Sequence, residues 1–386
     1  MSNAVPGAGG PTIRRERIEH IDVLRGVAVC GIFAMNVTSF GLQMPAYFRL
    51  DAGGFATLPD QVAGVFTELF VAQKMMGLFS LLFGASIALF IDRAATTTRW
   101  PALVALWRNA LLLGLGLAHA ACWDGDVLEI YAKCAPFVIL LHKAPVRLLV
   151  ALAGLAFVLA AAVALPTQEA VTRAGAASLG WYWHSYSEAS REVIRYVLIT
   201  FYVRAFGFML LGVALYRTGW LCGERSGVDY RRAARLGFSL GVPLCGFALG
   251  WQIASGFSHE VAMWTGGIQT LGALPMTLGY AALVLSWSVC SVGNGSRLRD
   301  RLAATGRMAL TNYLTQSALG VLIVTFLIGY DVLGRAALLA VCVPVWLLQL
   351  SWSEAWLRSH ANGPVEWLWR CATWLRWQSM RRAAGS

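Results

Sequence analysis

The chain is a ladder of about ten long apolar runs, and about 20 helical residues suffice to cross the ~30 Å hydrocarbon core of a bilayer. Such runs leave the backbone few options, because a segment in hydrocarbon must satisfy its own N–H and C=O groups, and a helix does so within itself. The runs fall near residues 22–41, 64–91, 101–121, 126–142, 146–166, 194–216, 235–255, 263–289, 308–329 and 334–353. The expected fold is all-α, a polytopic transmembrane helix bundle of about ten spans. Composition agrees. Hydrophobic residues make up 58% of the 386 and charged ones only 13%, with a mean hydropathy of +0.60, outside the usual balance of a soluble domain.

An even number of spans returns both termini to one side, and the basic residues identify that side. Arg14, Arg15 and Arg17, then Arg93 and Arg99, Lys143 and Arg147, the group from Arg217 to Arg235, the group from Arg297 to Arg307, and the C-terminal arginines all fall on alternate connections. That is the pattern of cytoplasmic loops. The opposite connections carry few cations and include the acidic turn Trp123-Asp124-Gly125-Asp126. Residues 1–17 read as a disordered cytoplasmic segment, 18–355 as one transmembrane domain, and 356–386 as a cytoplasmic tail whose mixed Trp and Arg suit the membrane surface. The first run is long enough to be kept as a helix, with no closely following cleavage pattern. The aromatic loop 167–193 on the outer side, with Trp181, Tyr182, Trp183 and Tyr186, suits either a segment resting on headgroups or an aromatic belt. The second run, at roughly 28 residues, exceeds what a bilayer needs, so its outer end, with Glu68, Gln73 and Lys74 near it, is expected to project or lie at the interface.

The net charge of +11 is accounted for by this orientation, so nucleic acid is not an expected partner. The eight cysteines include no C-x-x-C pair, and most sit in apolar runs where a thiol acts as a small hydrophobe, so neither a disulfide framework nor a metal site is expected.

Ionised side chains within the spans cost ~2.5–3.5 kcal/mol each near the bilayer centre on insertion scales. Arg25, Lys74, Arg108, Lys133 and Arg204 should therefore line a protein interior or a wet cavity. Asp22 and Arg25 are one helical turn apart and can pair. Asn36 lies three turns beyond Arg25, about 16 Å along the same face, and Arg108 and His119 repeat that spacing. Asp126, Glu129 and Lys133 form one stripe down the next helix. With Asp124 and His119 across a short turn, they make a candidate titratable cluster, in which a carboxylate would fix the tautomer of His119 and raise its basicity. The same residues also fit a plain structural account, with Asp126 as a helix cap, Glu129 and Lys133 as an ion pair, and His119 bonded to a neighbouring helix. Arg204, mid-span, wants a carboxylate or an anionic ligand. The segment GRMALTNYLTQS carries Asn312, Gln316 and several hydroxyls that fit interhelical hydrogen bonding.

Five separated motifs, RIEHIDVLRGVAVCGIFAMNVTSFG, KMMGLFSLLFGASIALF, LGLAHAACWDGDVLEIYA, GRMALTNYLTQS and GPVEWLWR, occur in the order seen in the bacterial YeiB-like family of multi-pass membrane proteins, a domain of unknown function, which the chain resembles over nearly its whole length. That resemblance implies a bacterial cytoplasmic (inner) membrane location. The first motif is also similar to transmembrane acyltransferases of the acyltransferase-3 and heparan-alpha-glucosaminide N-acetyltransferase types, which carry an acyl group from cytoplasmic acyl-CoA to an acceptor on the far side. In the former an Arg is followed, after ten intervening residues, by a catalytic His. Arg25 matches the Arg, and Asn36 stands where the His would be. In the latter an Asn occupies that place and a catalytic His follows in the next loop, whereas here the next His is His119.

For such a transfer the expected catalytic residues are His119, Asp126 and Asn36, with His119, drawn from this sequence and not from either enzyme group, as replacement base and Asn36 as a donor to a developing oxyanion. The expected substrate-binding residues are Arg25, Arg108, Arg204, Asp124, Glu129 and Lys133, with Arg25 and Arg108 shaped to meet CoA phosphates. No bound cofactor or metal is expected, and acyl-CoA is the donor substrate. The partners are the lipid bilayer, a small-molecule substrate and a second copy of the chain in a homo-oligomer. The alternative is a transporter or exporter of an anionic or amphipathic small molecule, and a scaffold whose polar groups only knit helices remains a third account.

Overall fold

The computed structural model describes residues 11–123, 125–174, 188–291 and 295–381. The chain runs through α1 (Pro11–Gly41), α2 (Met44–Phe48), a 3-10 turn (Leu50–Ala52), α3 (Leu58–Phe66), a π turn (Thr67–Val71), α4 (Lys74–Ala94), α5 (Pro101–Ala120) and α6 (Leu128–Leu141). It continues with α7 (Val146–Ala174), α8 (Glu188–Arg217), α9 (Gly227–Ala254), α10 (His259–Cys290), α11 (Arg297–Arg307), α12 (Ala309–Gly320), a second π turn (Val321–Ile328), α13 (Arg335–Ser359) and α14 (Pro364–Trp374). Among the described residues there is no named strand, and nine helical stretches are long and apolar enough to cross a membrane. The protein is an all-α polytopic bundle.

The tenth expected span, 126–142, is realised as α6, with 14 residues. Those rise about 21 Å, short of a full crossing. Its start is fixed by Asp126, whose Oδ2 accepts the backbone N–H of Glu129 at 2.9 Å and so supplies the cap.

The spans differ in how they use their apolar surface. In α1, 72% of the most apolar window is buried inside the bundle, against 22% in α5. α1 is thus a central post, and α5 shows most of its surface outward. α4 joins α1 in the interior and packs along α8, α7 packs along α8, and α9 and α10 form a long antiparallel pair. α11 lies against α1.

Two glycine pairs permit the closest approaches. A Cβ on Gly212 of α8 would collide with the Leu81 carbonyl of α4, and one on Gly84 of α4 with the Met209 carbonyl of α8. Likewise a Cβ on Gly306 of α11 would strike the Asp22 carbonyl of α1, and one on Gly26 of α1 the Leu302 carbonyl. Small residues that bring helix backbones together are the usual means of packing where lipid removes the hydrophobic drive between helices.

The overlong second run contains a break. It spans Leu58–Ala94, and its first part, α3, exposes Leu58, Val62 and Phe66. Between the π turn and α4 the chain turns at Gln73, with φ 62 and ψ −35, and the Lys74 N–H donates to the Ala72 carbonyl at 2.7 Å. This is a γ-turn of the strained hand, held within a membrane-length stretch by no Gly or Pro. Residues 175–187, which include Trp181, Tyr182, Trp183 and Tyr186, lie outside the described residues.

Candidate functional site

The face of the bundle that gathers the arginines holds a cavity of ≈ 590 Å³ between α1, α4, α5, α12 and α14. Its lining includes Arg25, Arg93, Arg108, Arg307 and Arg370, set against the carboxyls of Asp22 and Glu366. Arg25 donates to Asp22 Oδ1 at 2.6 Å and to Ser86 Oγ at 3.0 Å. Arg108 lies between two rings, its guanidinium carbon 3.5 Å from the Trp369 ring centre and 4.8 Å from that of Phe90. Among the described residues its guanidinium makes no hydrogen bond or ion pair. A stacked fork with free donors is the form in which Arg meets a phosphate.

The C-terminal tail is part of this cavity. α14 packs on α5 and α12, and Trp369 Nε1 donates to the Arg108 carbonyl at 2.9 Å. Glu366 accepts the N–H groups of Leu310 (2.7 Å) and Thr311 (3.0 Å) and the Thr311 hydroxyl (2.5 Å). It thereby caps α12 from another helix, at a start where Met308 has no capping side chain. Burial pushes the Glu366 carboxyl above the usual range, and the hydrogen bonds it accepts pull the other way. Leu368, Leu375 and Trp377 stay exposed, so the same segment keeps an outward apolar edge.

At its deep end the cavity is lined by Leu128 and Tyr313. The Tyr313 hydroxyl donates to Asp126 Oδ1 at 3.1 Å, and the same oxygen lies 2.8 Å from His119 Nδ1. The His119 and Asp126 side chains are 9% and 1% exposed. A carboxylate acceptor at this position fixes the Nδ1–H tautomer and leaves Nε2 as the basic atom. Nε2 and the Trp123 indole N–H are both buried, and neither has a hydrogen-bond partner among the described residues. The two rings meet edge to face with centroids 5.7 Å apart, and the Tyr313 ring sits 5.3 Å from His119 on another side. An acceptor atom and a donor atom, unfilled on adjacent rings, are the complement of a hydroxyl or amine group.

The expected residues divide accordingly. His119 and Asp126 come together as a dyad, and Arg25 and Arg108 line one cavity. Asn36 is buried and lines neither that cavity nor the smaller one described below. It lies one turn before Phe40, whose ring packs on Trp123 at 4.8 Å. The Glu129 and Lys133 side chains bond to each other, with Lys133 near the Tyr202 ring, and only the Glu129 backbone N–H reaches the dyad, at Asp126 Oδ2. Asp124 lies outside the described residues. Arg204 lines the smaller cavity of ≈ 160 Å³ beside the Gln73 break.

In the segment GRMALTNYLTQS, Asn312 and Gln316 knit helices. Asn312 donates to Thr305 and Ser353 and accepts from Trp352, and Gln316 bonds Gln349 at 2.8 Å. Tyr313, one residue along, instead turns to the dyad. Trp123, Tyr313 and Glu366 are not among the catalytic or binding residues expected from sequence. The missing N-cap before Ala309 was the one local sign that Glu366 had a task.

The chain matches a family model described as "Protein of unknown function (DUF418)" over residues 215–376. It is 33% identical over 382 residues to the uncharacterized protein YeiB of Escherichia coli (strain K12), covering 93% of this chain and 96% of that one. It is 28% identical over 417 residues to the uncharacterized protein YxaH of Bacillus subtilis (strain 168), covering 96% and 98%. An uncharacterized 39.9 kDa protein from the amylase 3' region of Bacillus acidopullulyticus is 28% identical over 375 residues, covering 95% and 96%. No solved structure matches the chain significantly.

Proposed function

For a chain that belongs to the YeiB-like family of multi-pass membrane proteins, we propose the role of an acyltransferase of the bacterial inner membrane, with its Arg-rich face in the cytoplasm. It takes an acyl group from cytoplasmic acyl-CoA and passes it to a hydroxyl or amine of an envelope or extracytoplasmic acceptor. The observation that carries this reading is the continuity from cavity to dyad: Tyr313 lines the deep end of the Arg-rich cavity and bonds the Asp126 carboxylate that orients His119. The arginines and the Trp369 and Phe90 rings at the mouth suit the phosphates and adenine of CoA. The acceptor O–H or N–H donates to His119 Nε2, which takes its proton as the oxygen or nitrogen attacks the thioester carbon. The C–S bond then breaks and CoA leaves as the thiolate, which recovers the proton.

The test is the thermal midpoint of the purified, detergent-solubilised protein titrated with acetyl-CoA and longer acyl-CoAs, with free CoA and ATP as controls, since binding to the folded state raises the midpoint. A saturable rise with the thioesters, weakened in Arg108→Ala, supports the reading. No rise with any thioester removes it.

Transport of an anionic or amphipathic solute is the second reading, and the broken helix at Gln73 favours it, because interrupted helices form substrate sites in many transporters. Uptake into proteoliposomes in the absence of any acyl-CoA is the outcome that selects it.

A further inference from the structure

The smaller cavity has a chemistry of its own, which does not depend on acyl transfer. It lies where the π turn Thr67–Val71 gives way to α4, and α8 and α10 face it. Irregular backbone at membrane depth is tolerated where it is buried in protein or lines a cavity. The strained γ-turn at Gln73 is a local cost of the kind that gathers at ligand sites.

Three polar groups on this lining are available to an occupant. Arg204 is 5% exposed. It donates from Nη1 to Gln73 Oε1 at 2.9 Å and from Nη2 toward the Met76 sulfur at 3.7 Å, and its guanidinium carbon is 5.1 Å from the Phe201 ring centre. No carboxylate lies within ion-pair distance of it among the described residues. The Glu68 carboxylate lines the same cavity, and it too makes no ion pair or hydrogen bond among the described residues. The Gln269 side chain, 6% exposed, likewise has no hydrogen bond.

The other cations nearby are occupied. Lys74 Nζ donates to the Glu68 carbonyl at 2.8 Å. Arg335 is committed to the carbonyls of Ala46 (2.6 Å), Arg49 (3.2 Å), Gly53 (3.2 Å) and Leu50 (3.5 Å). The cavity thus presents one cation and one anion that make no ion-pair contact with each other or with another charge among the described residues, with an amide side chain that makes no hydrogen bond there on the same lining. Opposite charges that line one cavity without an ion-pair contact suit an occupant that bears both complements. The N-terminus of α4, which starts at this break, adds its positive end on the side of Gln73. The volume, ≈ 160 Å³, against about 10–15 Å³ for one water by the same measure, admits a molecule of roughly ten heavy atoms.

We propose that this cavity binds a small zwitterion of α-amino-acid size, its carboxylate on Arg204 and its ammonium on Glu68, with Gln269 bonding one of the two. The same pair of charges occurs on a phosphoethanolamine lipid headgroup, so both sources enter the test.

The experiment is thermal unfolding of the full chain in detergent, titrated separately with the proteinogenic L-α-amino acids, with acetate, with methylammonium, and with O-phosphoethanolamine at matched ionic strength. The expected result is a saturable rise with at least one amino acid and none with acetate or methylammonium alone. Arg204→Gln and Glu68→Gln should each weaken that binding by about tenfold or more, the scale of a lost charge-assisted hydrogen bond. Should either variant fail to fold, Gln269→Ala serves, since its amide has no hydrogen-bond partner among the described residues to lose, and a fall in affinity of about threefold or more is expected. The proposal is overturned if no amino acid raises the midpoint, if acetate or methylammonium does so equally well, if O-phosphoethanolamine alone does so, or if the folded variants bind as the parent does.

Discussion

The two cavities are built on different terms. The Arg-rich one, ≈ 590 Å³ against ≈ 160 Å³, is assembled from side chains on regular helices, and α14 contributes Trp369 and Glu366 to its lining. The smaller one depends on a break in a helix, on a residue held at positive φ, and on an Arg204 and a Glu68 that make no ion-pair contact among the described residues. The first can change at its mouth without disturbing the backbone. The second ties its polar chemistry to a strained turn, so altering one residue alters both. The dyad belongs with the first, because Tyr313 joins it to that cavity, and among the described residues no hydrogen bond joins it to the second.

The largest expected effect tests that allocation. His119→Ala should lower turnover of acyl-CoA by about 10²–10⁴-fold, the usual share of a general base, with the thermal midpoint and the acyl-CoA response retained. Thiol release from acyl-CoA in the presence of acceptor-containing envelope extract is the measurement, and normal turnover in the variant sinks the proposed base. Arg108→Ala comes next. Among the described residues its guanidinium has no hydrogen-bonded partner to strand, so losing it should weaken acyl-CoA binding by about 10- to 150-fold, equivalent to ~1.5–3 kcal/mol for hydrogen bonds to charge, with a shallower salt dependence and little loss of fold. An unchanged affinity would place the CoA phosphates elsewhere.

The smaller cavity yields a cleaner backbone test. Gln73→Ala and Gln73→Gly both remove the bond to Arg204, so the difference between them reports only the turn. Glycine tolerates positive φ, and a non-glycine residue in such a region costs about 1–3 kcal/mol. The Gly variant should therefore unfold at a higher midpoint than the Ala variant. Equal midpoints would mean that the turn relaxes and carries no strain.

Much of the fold was legible because hydrocarbon leaves so few solutions, and the helices follow the hydropathy. The His119–Asp126 dyad was legible for a local reason, since a short turn between two helices brings residues seven apart face to face. Tyr313 was not. It lies 187 residues from Asp126, among hydroxyls and amides that read equally well as interhelical bonds, and most of its neighbours are used that way. The break at Gln73 was hidden for another reason: no Gly or Pro marks it, and tertiary contacts such as the Arg204 bond hold the turn. α6 came out shorter than its apolar run because Asp126, counted within the run, acts as its cap. The tail's amphipathic character was plain from its Trp and Arg pattern, but which helix it would meet depended on the missing cap of α12.

That in-trans cap gives the smallest effect and a sign that can be checked. Burial holds the Glu366 carboxyl above the value it has in the unfolded chain, which for Glu lies near ~4.3. A raised native value means that the group's contribution to stability is full at pH below the unfolded value and is lost as pH rises through the native one. Glu366→Gln cannot ionise, yet its amide oxygen can still accept from the Leu310 and Thr311 N–H groups. The stability of the parent relative to this variant should therefore be greatest in acid and shrink as pH climbs past the native value, while Glu366→Ala, which strands two N–H groups, should lose about 1–3 kcal/mol at every pH. Denaturation midpoints of the three proteins across that range decide it. A parent advantage over Glu366→Gln that grows with pH would mean that the hydrogen bonds from α12 outweigh burial, making α14 a charged clamp on the Arg-rich cavity instead of a neutral one.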